Sequence, residues 1–307
     1  MSDAEKDADT QGLVAYQGVE GAYSHLSCKT VFPNHSTVAC EDFQSAILMV
    51  EEDKAAFAMI PLENSTAGRV EEIYRLLPKT HLQIVAEHFE PVNHCLLALP
   101  GVTLAEIKTV SSHPQALAQC FHRLNDLNIK AIAATDTALS AKQLAAHKEG
   151  LAADSSIRQH GAIASTLAAD LYGLDIVADN FQDVSGNTTR FIVLAKNTDD
   201  DNGLSVAAGF DPQKDYITSV LFTVRHMPAA LYKALGGFAT NGVNMIKLES
   251  YMDGGTMEAS HFHIDLSGHP NQIGMKNALA ELAYFAKSVR VLGSYPAHKY
   301  RRKSEFV

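Results

Sequence analysis

Between residues 12 and 196 short apolar runs alternate with longer stretches of helical character, and this alternation restricts the fold more than any other feature. Residues 13–16 lead to a helical 23–31, and residues 55–60 to a Gly/Asn/Ser loop and a helical 69–77. Residues 107–111 precede 114–127, residues 129–133 precede 137–147, and residues 162–165 run into 166–172, with 176–178 beyond. Strands alternating with helices predict a mainly parallel sheet covered on both faces, with ligands at the loops past the strand carboxyl ends. The pattern then breaks at residues 197–203, Asn-Thr-Asp-Asp-Asp-Asn-Gly, an acidic, turn-rich linker signature that continues to about 215. Beyond it, 216–225 reads as a strand, 228–240 as a helix opened by Pro228 in its first turn, and Asn241-Gly242 as its stop. Strands at 243–251 and 257–266 flank Asp253-Gly254-Gly255, followed by a helix at 272–285 and a strand at 288–295. The order βαββαβ is ferredoxin-like. Two units follow, about 12–196 and 215–297, with a frayed start and a basic tail at 298–303.

A net charge of -10 and a pI near 5.7 exclude the basic footprint of a nucleic-acid binder. They leave room for a small anion, which a few local donors decide. Cys28, Cys40, Cys95 and Cys120 have no CxxC spacing and read as reduced thiols. Residues 1–11 are polar without a signal-peptide core, and no window approaches the roughly 18 apolar residues of a membrane span. A cytoplasmic protein with no membrane partner is expected. Gly18-Val19-Glu20-Gly21 lacks the third glycine and the lysine of phosphate loops, and the fourteen histidines show no metal-ligand spacing. Neither metal nor cofactor is expected.

Five polar blocks fall at the joints between elements: residues 18–25, 60–70, 111–117, 134–138 and 186–191. The last, Gly-Asn-Thr-Thr-Arg-Phe, delivers a threonine and an arginine to the mouth of the apolar run 192–195. It can hold an anion and offer a neutral donor, and it contains no base, thiol or metal ligand. Chemistry here must rest on positioning and mild acid assistance. Three of the other blocks resemble helix N-termini, which attract anions. Ser112, Ser65 and Thr135 also suit plain helix caps worth about 1 kcal/mol each. His113 is either a general acid or base or, beside Pro114, a structural residue; Glu63 is a base or a hydrogen-bond anchor. Arg190 is a surface ion pair or, with its planar fork, a carboxylate clamp, and the clamp is favoured. Thr189 is the best hydroxyl donor.

These blocks resemble the signatures of prephenate dehydratases. Residues 60–70 match Ile-Pro-x-Glu-Asn-Ser-x-x-Gly-x-Val, residues 187–191 contain Thr-Arg-Phe, and 112–120 and 162–174 match further family blocks. The resemblance covers about 13–297, its second unit resembling a regulatory ACT domain. It implies an α/β catalytic domain of two periplasmic-binding-protein-like (type II) lobes, about 12–88 with 185–196 and 89–184, followed by an α+β ACT domain at 215–297. The implied reaction converts prephenate to phenylpyruvate, carbon dioxide and water. Ring aromatisation drives it, so dianion binding and help for the departing hydroxyl suffice. The resemblance implies Thr189, Asn64 and Gln115 as catalytic residues, and Arg190, Ser65, Ser24, Phe191 and Thr137 as substrate-binding ones. It implies Ala229, Ala230, Leu231, Asn244, Glu249 and Ser250 as an effector site for L-phenylalanine, formed between chains of a homodimer or homotetramer. Two departures matter. Val19 and Ala22 replace Pro and Thr in the family's Gly-Pro-x-Gly-Thr-Phe-Ser, and Tyr251-Met252 replaces the Arg-Pro half of Glu-Ser-Arg-Pro. Arogenate dehydratase and a non-catalytic amino-acid sensor are the competing readings.

Overall fold

The computed structural model describes residues 12–148, 155–196, 210–252 and 259–303. The start of the chain, the linker at 197–203 and the turn at 253–255 lie outside those residues. The chain divides into two compact units, Met1–Met49 with Asp53–Val70 and Phe89–Phe191, and Val50–Glu52 with Glu71–His88 and Ile192–Val307.

In chain order the first elements are β1 (Leu13–Gln17), α1 (Tyr23–Val31), β2 (Ser36–Cys40), α2 (Phe43–Glu51), β3 (Phe57–Asn64), β4 (Gly68–Arg69), α3 (Glu71–Leu76) and β5 (Gln83–Pro91). Then come β6 (Cys95–Ala98), β7 (Thr109–Ser112), α4 (Pro114–Gln119), α5 (Phe121–Asp126), β8 (Lys130–Ala133), α6 (Thr137–Ala145), β9 (His160–Ala164), α7 (Thr166–Tyr172), β10 (Asp175–Ala178) and β11 (Thr188–Ala195). Two sheets result, ordered β2-β1-β3-β11-β5, with β4 on β3, and β10-β6-β9-β7-β8. β1 is parallel to β2 and β3, and β7 to β8 and β9. β6 runs antiparallel to β9 and β10, so the second sheet is mixed.

Local chemistry accounts for the helix ends. Asp136 caps α6 by accepting from Leu139 N–H at 2.9 Å, and Ser165 caps α7 by accepting from Ala168 N–H at 3.1 Å. Gly173, at φ +61°, ends α7 in the left-handed conformation. Residues 114–127 form two helices rather than one. The chain turns at Cys120, and the Asp183 carboxylate accepts from the His122 and Arg123 N–H groups at 2.9 and 3.1 Å, satisfying the first turn of α5. The caps expected at Ser112, Ser65 and Thr135 are not found: His113 caps α4, Asp136 caps α6, and Ser65 lies in the turn of the β3–β4 hairpin. Ser112 instead donates to Ile163 C=O at 2.6 Å, tying β7 to β9.

The remaining elements are β12 (Tyr216–Val224), α8 (Ala230–Thr240), β13 (Met245–Met252), β14 (Ala259–Ser267), α9 (Ile273–Phe285), β15 (Ala286–Pro296) and α10 (Lys299–Lys303). The four strands form one antiparallel sheet, β13-β14-β12-β15, in the βαββαβ order. Val220, Phe222, Phe262 and Ile264 of the sheet pack on Ala234, Phe238, Met275 and Leu282 of the two helices. Pro228 does not open α8 as expected. Ala229 precedes the helix at φ +56°, leaving proline outside it. In the same unit Lys247 Nζ donates to Tyr74 Oη at 2.7 Å, and Arg301 makes a two-pronged bond with buried Glu87 at 2.6 and 2.7 Å. Among the described residues no helix is long and apolar enough to cross a membrane.

Candidate active site

The polar blocks meet at a cavity of about 480 Å³ in the first unit. Ala22, Tyr23 and Ser24 reach it from the start of α1, and Asn64 with residues 67–70 from the hairpin. His94 lines it from just before β6, His113, Gln115 and Gln119 from α4 and its cap, Asp136 and Thr137 from the start of α6, and Asn187, Thr189 and Phe191 from β11 and the residue before it.

The hydrogen-bond pattern fixes which way each amide points. Asn64 Oδ1 accepts from the N–H groups of Thr66 and Ala67, both at 3.0 Å, so it must be the oxygen. Its Nδ2 therefore donates to Thr189 Oγ1 at 2.9 Å. Thr189 thus accepts from Asn64 and keeps its own proton for donation. Thr66 gives its proton to Asn64 Oδ1 at 2.8 Å and accepts from Gln119 Nε2 at 3.0 Å. That leaves Gln119 Oε1 to receive Asn187 Nδ2 at 3.1 Å and His94 Nε2 at 2.8 Å. The network has one consistent direction from His94 to Thr189.

His94 is 2% exposed. Burial lowers its pKa below the ordinary histidine value, and the bond it donates to Gln119 opposes that. Burial also lifts the Tyr23 hydroxyl well above its usual range and the Cys120 thiol to about 12. Both are neutral near pH 7.

Of the residues expected from sequence, Thr189, Asn64, Gln115, Ser24, Phe191 and Thr137 line this cavity. Two do not. Ser65 ties the hairpin to β11, accepting from Thr188 N–H at 3.0 Å and donating to Asn187 Oδ1 at 3.4 Å. Arg190 is 2% exposed, and its Nη1 lies 2.9 Å from Glu63 Oε1. The clamp expected at Arg190 is therefore corrected: the side chain is buried outside the cavity lining, with Nη1 on Glu63. Successive residues of a strand point to opposite faces, so Thr189 and Phe191 reach the cavity while Arg190 turns away. His113, weighed as acid or base, accepts from Gln115 N–H at 3.2 Å as a cap.

Sequence reading missed Tyr23, His94, Gln119 and Asn187. Tyr23, Gln119 and Asn187 lay inside the quoted blocks 18–25, 112–120 and 186–191. Gln119 follows Gln115 by four positions on a helix, a spacing that places both on one face. His94 had no signal, since nothing around it marks a turn or a cap. In the second unit Ala229 to Leu231 stand at the start of α8, Asn244 precedes β13, and Glu249 and Ser250 lie on β13. Lys247 Nζ is 3.8 Å from Glu249 Oε1.

The family model described as Prephenate dehydratase matches residues 14–199, and the chain belongs to that family. Its relatives divide among named activities. It is 40% identical over 291 residues to the bifunctional N-acyl-homoserine lactone acylase/prephenate dehydratase of Komagataeibacter europaeus, covering 95% of this chain and 98% of that one. It is 38% identical over 304 residues to arogenate dehydratase/prephenate dehydratase 1, chloroplastic, of Arabidopsis thaliana, covering 94% and 73%. The crystal structure of prephenate dehydratase in complex with L-Phe from Arthrobacter aurescens matches with a TM-score of 0.78 at 28% identity, over 93% of this chain and 92% of that one.

Proposed function

We propose that the chain catalyses the decarboxylating dehydration of prephenate to phenylpyruvate. The observation that carries this reading is the bond from Asn64 Nδ2 to Thr189 Oγ1, 2.9 Å long and fixed in direction, which frees the threonine proton for the cavity. In the reaction the bond from the ring to its carboxylate breaks and carbon dioxide leaves. The electron pair enters the ring, the carbon–oxygen bond to the ring hydroxyl breaks, and hydroxide departs to become water with one proton. Aromatisation supplies the driving force. Thr189 stabilises the departing hydroxyl by hydrogen bonding, an effect of the kind typically worth about 10²–10⁴-fold. Asn64 orients Thr189, and the Gln115 amide with the Ser24 and Thr137 hydroxyls cradles the polar groups of the substrate. Ser24 and Thr137 stand in the first turns of α1 and α6, where open N–H groups suit carboxylates. Orientation in this cradle contributes much of the rate.

The reading extends to the whole chain. Residues 12–196 act as the catalytic domain, and 215–297 as an ACT domain binding L-phenylalanine through Ala229, Ala230, Leu231, Asn244, Glu249 and Ser250 in a dimer or tetramer. The Arthrobacter aurescens relative, solved with L-Phe, supports such an effector. Arogenate is the rival substrate, favoured by the names of the plant relatives. Acyl-homoserine lactone hydrolysis fits less well, because the hydroxyl of Thr189 is partnered by an amide rather than a base.

Purified protein should form phenylpyruvate from prephenate, assayed beside arogenate and an acyl-homoserine lactone, with and without phenylalanine. Thr189→Val should still bind substrate yet lose about 10²-fold or more in kcat. Near-normal turnover by that variant would sink the role of Thr189. Faster phenylalanine formation from arogenate would move the assignment to that substrate, and ligand binding without any product would make the chain a sensor.

A further inference from the structure

A dianion needs more positive charge than Arg69, which lines the cavity, brings alone. Arg190 turns away to Glu63. Arg69 lines the cavity from the hairpin and stands opposite Glu63 in the β3–β4 register. Asp136 adds a negative charge, held by its cap bond at the start of α6.

His94 is placed differently. Gln119 Oε1 can only accept, so His94 Nε2 carries a proton. On the other side Nδ1 is 3.3 Å from Tyr23 Oη, and the Tyr23 proton is committed to Asn93 C=O at 2.6 Å. Nδ1 therefore meets a lone pair. Both ring nitrogens face acceptors, an arrangement that satisfies the imidazolium and leaves the neutral ring one bond short unless Tyr23 turns its hydroxyl.

We infer that His94 supplies a second positive charge, beside that of Arg69, for a carboxylate in this cavity, taking up one proton from solvent as the anion enters, with Tyr23 and Gln119 holding both its N–H groups. The inference rests on the proposed function for the identity of the anion. The titratable groups packed around His94 do not compete for the role. Tyr23 on α1 and Cys120 beside α4 are neutral, as is Cys95 on β6, whose thiol burial pushes up. Glu90 on β5 lies near Tyr23, where its charge would hold that hydroxyl protonated. His113 on α4 spends Nδ1 on its cap bond with Gln115. In the empty site burial favours the neutral ring, and an entering anion reverses the balance.

The test is calorimetry of the whole protein with phenylpyruvate near pH 7.5, in two buffers of different ionisation enthalpy, which counts protons taken up on binding. Wild type should take up between about half a proton and one. His94→Gln should take up none and bind about 10- to 100-fold more weakly. Tyr23→Phe, which removes the oxygen facing Nδ1, should keep the fold and lower the pH at which affinity halves by about one unit. Equal uptake in wild type and His94→Gln, or no uptake in wild type, overturns the inference. Turnover of prephenate without uptake leaves the proposed reaction standing and removes this role. Failure of wild type to bind phenylpyruvate overturns both.

Discussion

The contact between Glu63 and Arg190 decides whether the arginine of the Thr-Arg-Phe motif serves the ligand or the fold, and the two partners give different results when removed. Arg190 is 2% exposed, whereas Glu63 is 29% exposed. Glu63→Ala strips a buried guanidinium of this carboxylate, in the class of broken buried pairs that cost about 3–5 kcal/mol. Water reaching the site from the Glu63 side moderates this to about 3 kcal/mol. Arg190→Met leaves behind a carboxylate that water already touches and replaces a buried charge by an apolar chain, costing about 1–2 kcal/mol. At about 2–4 °C per kcal/mol for a domain of this size, Glu63→Ala should melt about 6–12 °C lower and Arg190→Met about 2–8 °C lower. The chain has no tryptophan, so urea and thermal melts are best followed by circular dichroism. If Arg190→Met were as stable as wild type while its KM for prephenate rose about 100-fold, the arginine would be a carboxylate clamp after all and the structural reading would be refuted.

Three further outcomes follow from the same geometry. Asn64→Leu should lower kcat about 10- to 100-fold by releasing Thr189, less than the 10²–10³ lost with a direct donor, with KM little changed; an unchanged kcat would break the link between the two residues. At Gly293 an added Cβ would run into the Ile84 backbone carbonyl, so Gly293→Ala should destabilise by about 3 kcal/mol or more; soluble protein with a wild-type melt would contradict the close approach. His25 and His94 have pKa values lowered mainly by burial, so the unfolded chain binds more protons than the fold. Their contribution is whole above about pH 6.5 and is lost as pH falls through the folded values. The urea midpoint should therefore be lower at pH 5.5 than at pH 7.5, and equal midpoints would show these rings to be freely hydrated.

What the sequence made legible was periodic. The βαββαβ order, the helix at Tyr23–Val31 and the buried run of β11 all follow from apolar spacing and turn chemistry. Elements without such contrast escaped it. β2 and β5 carry mixed faces, and Pro228 looked like a helix start because proline suits that position, yet Ala229 entered the left-handed region first. The direction of β6 against β9 depends on a crossing that no local signal records.

The candidate site shows the same division at finer scale. A motif places side chains along the chain, whereas a strand sends neighbours to opposite faces. Reading Thr189 and Arg190 as partners treated adjacency as proximity, and β11 separates them: Thr189 meets Asn64 and Arg190 meets Glu63. The quoted motif 60–70 supplies both partners, again as neighbours on opposite faces of β3. One pair of two-residue steps therefore builds two different contacts, one facing the cavity and one bracing the fold. Substitutions at Glu63 and Arg190 should act chiefly on stability and those at Asn64 and Thr189 chiefly on turnover, although all four belong to the same motifs. Conversely His94 and Gln119 belong to no shared motif spacing and join only because α4 and the segment before β6 meet at the cavity. Their contribution to anion binding follows from the positions of donors and acceptors in space, which is why the charge expected at Arg190 is assigned instead to an unremarked histidine.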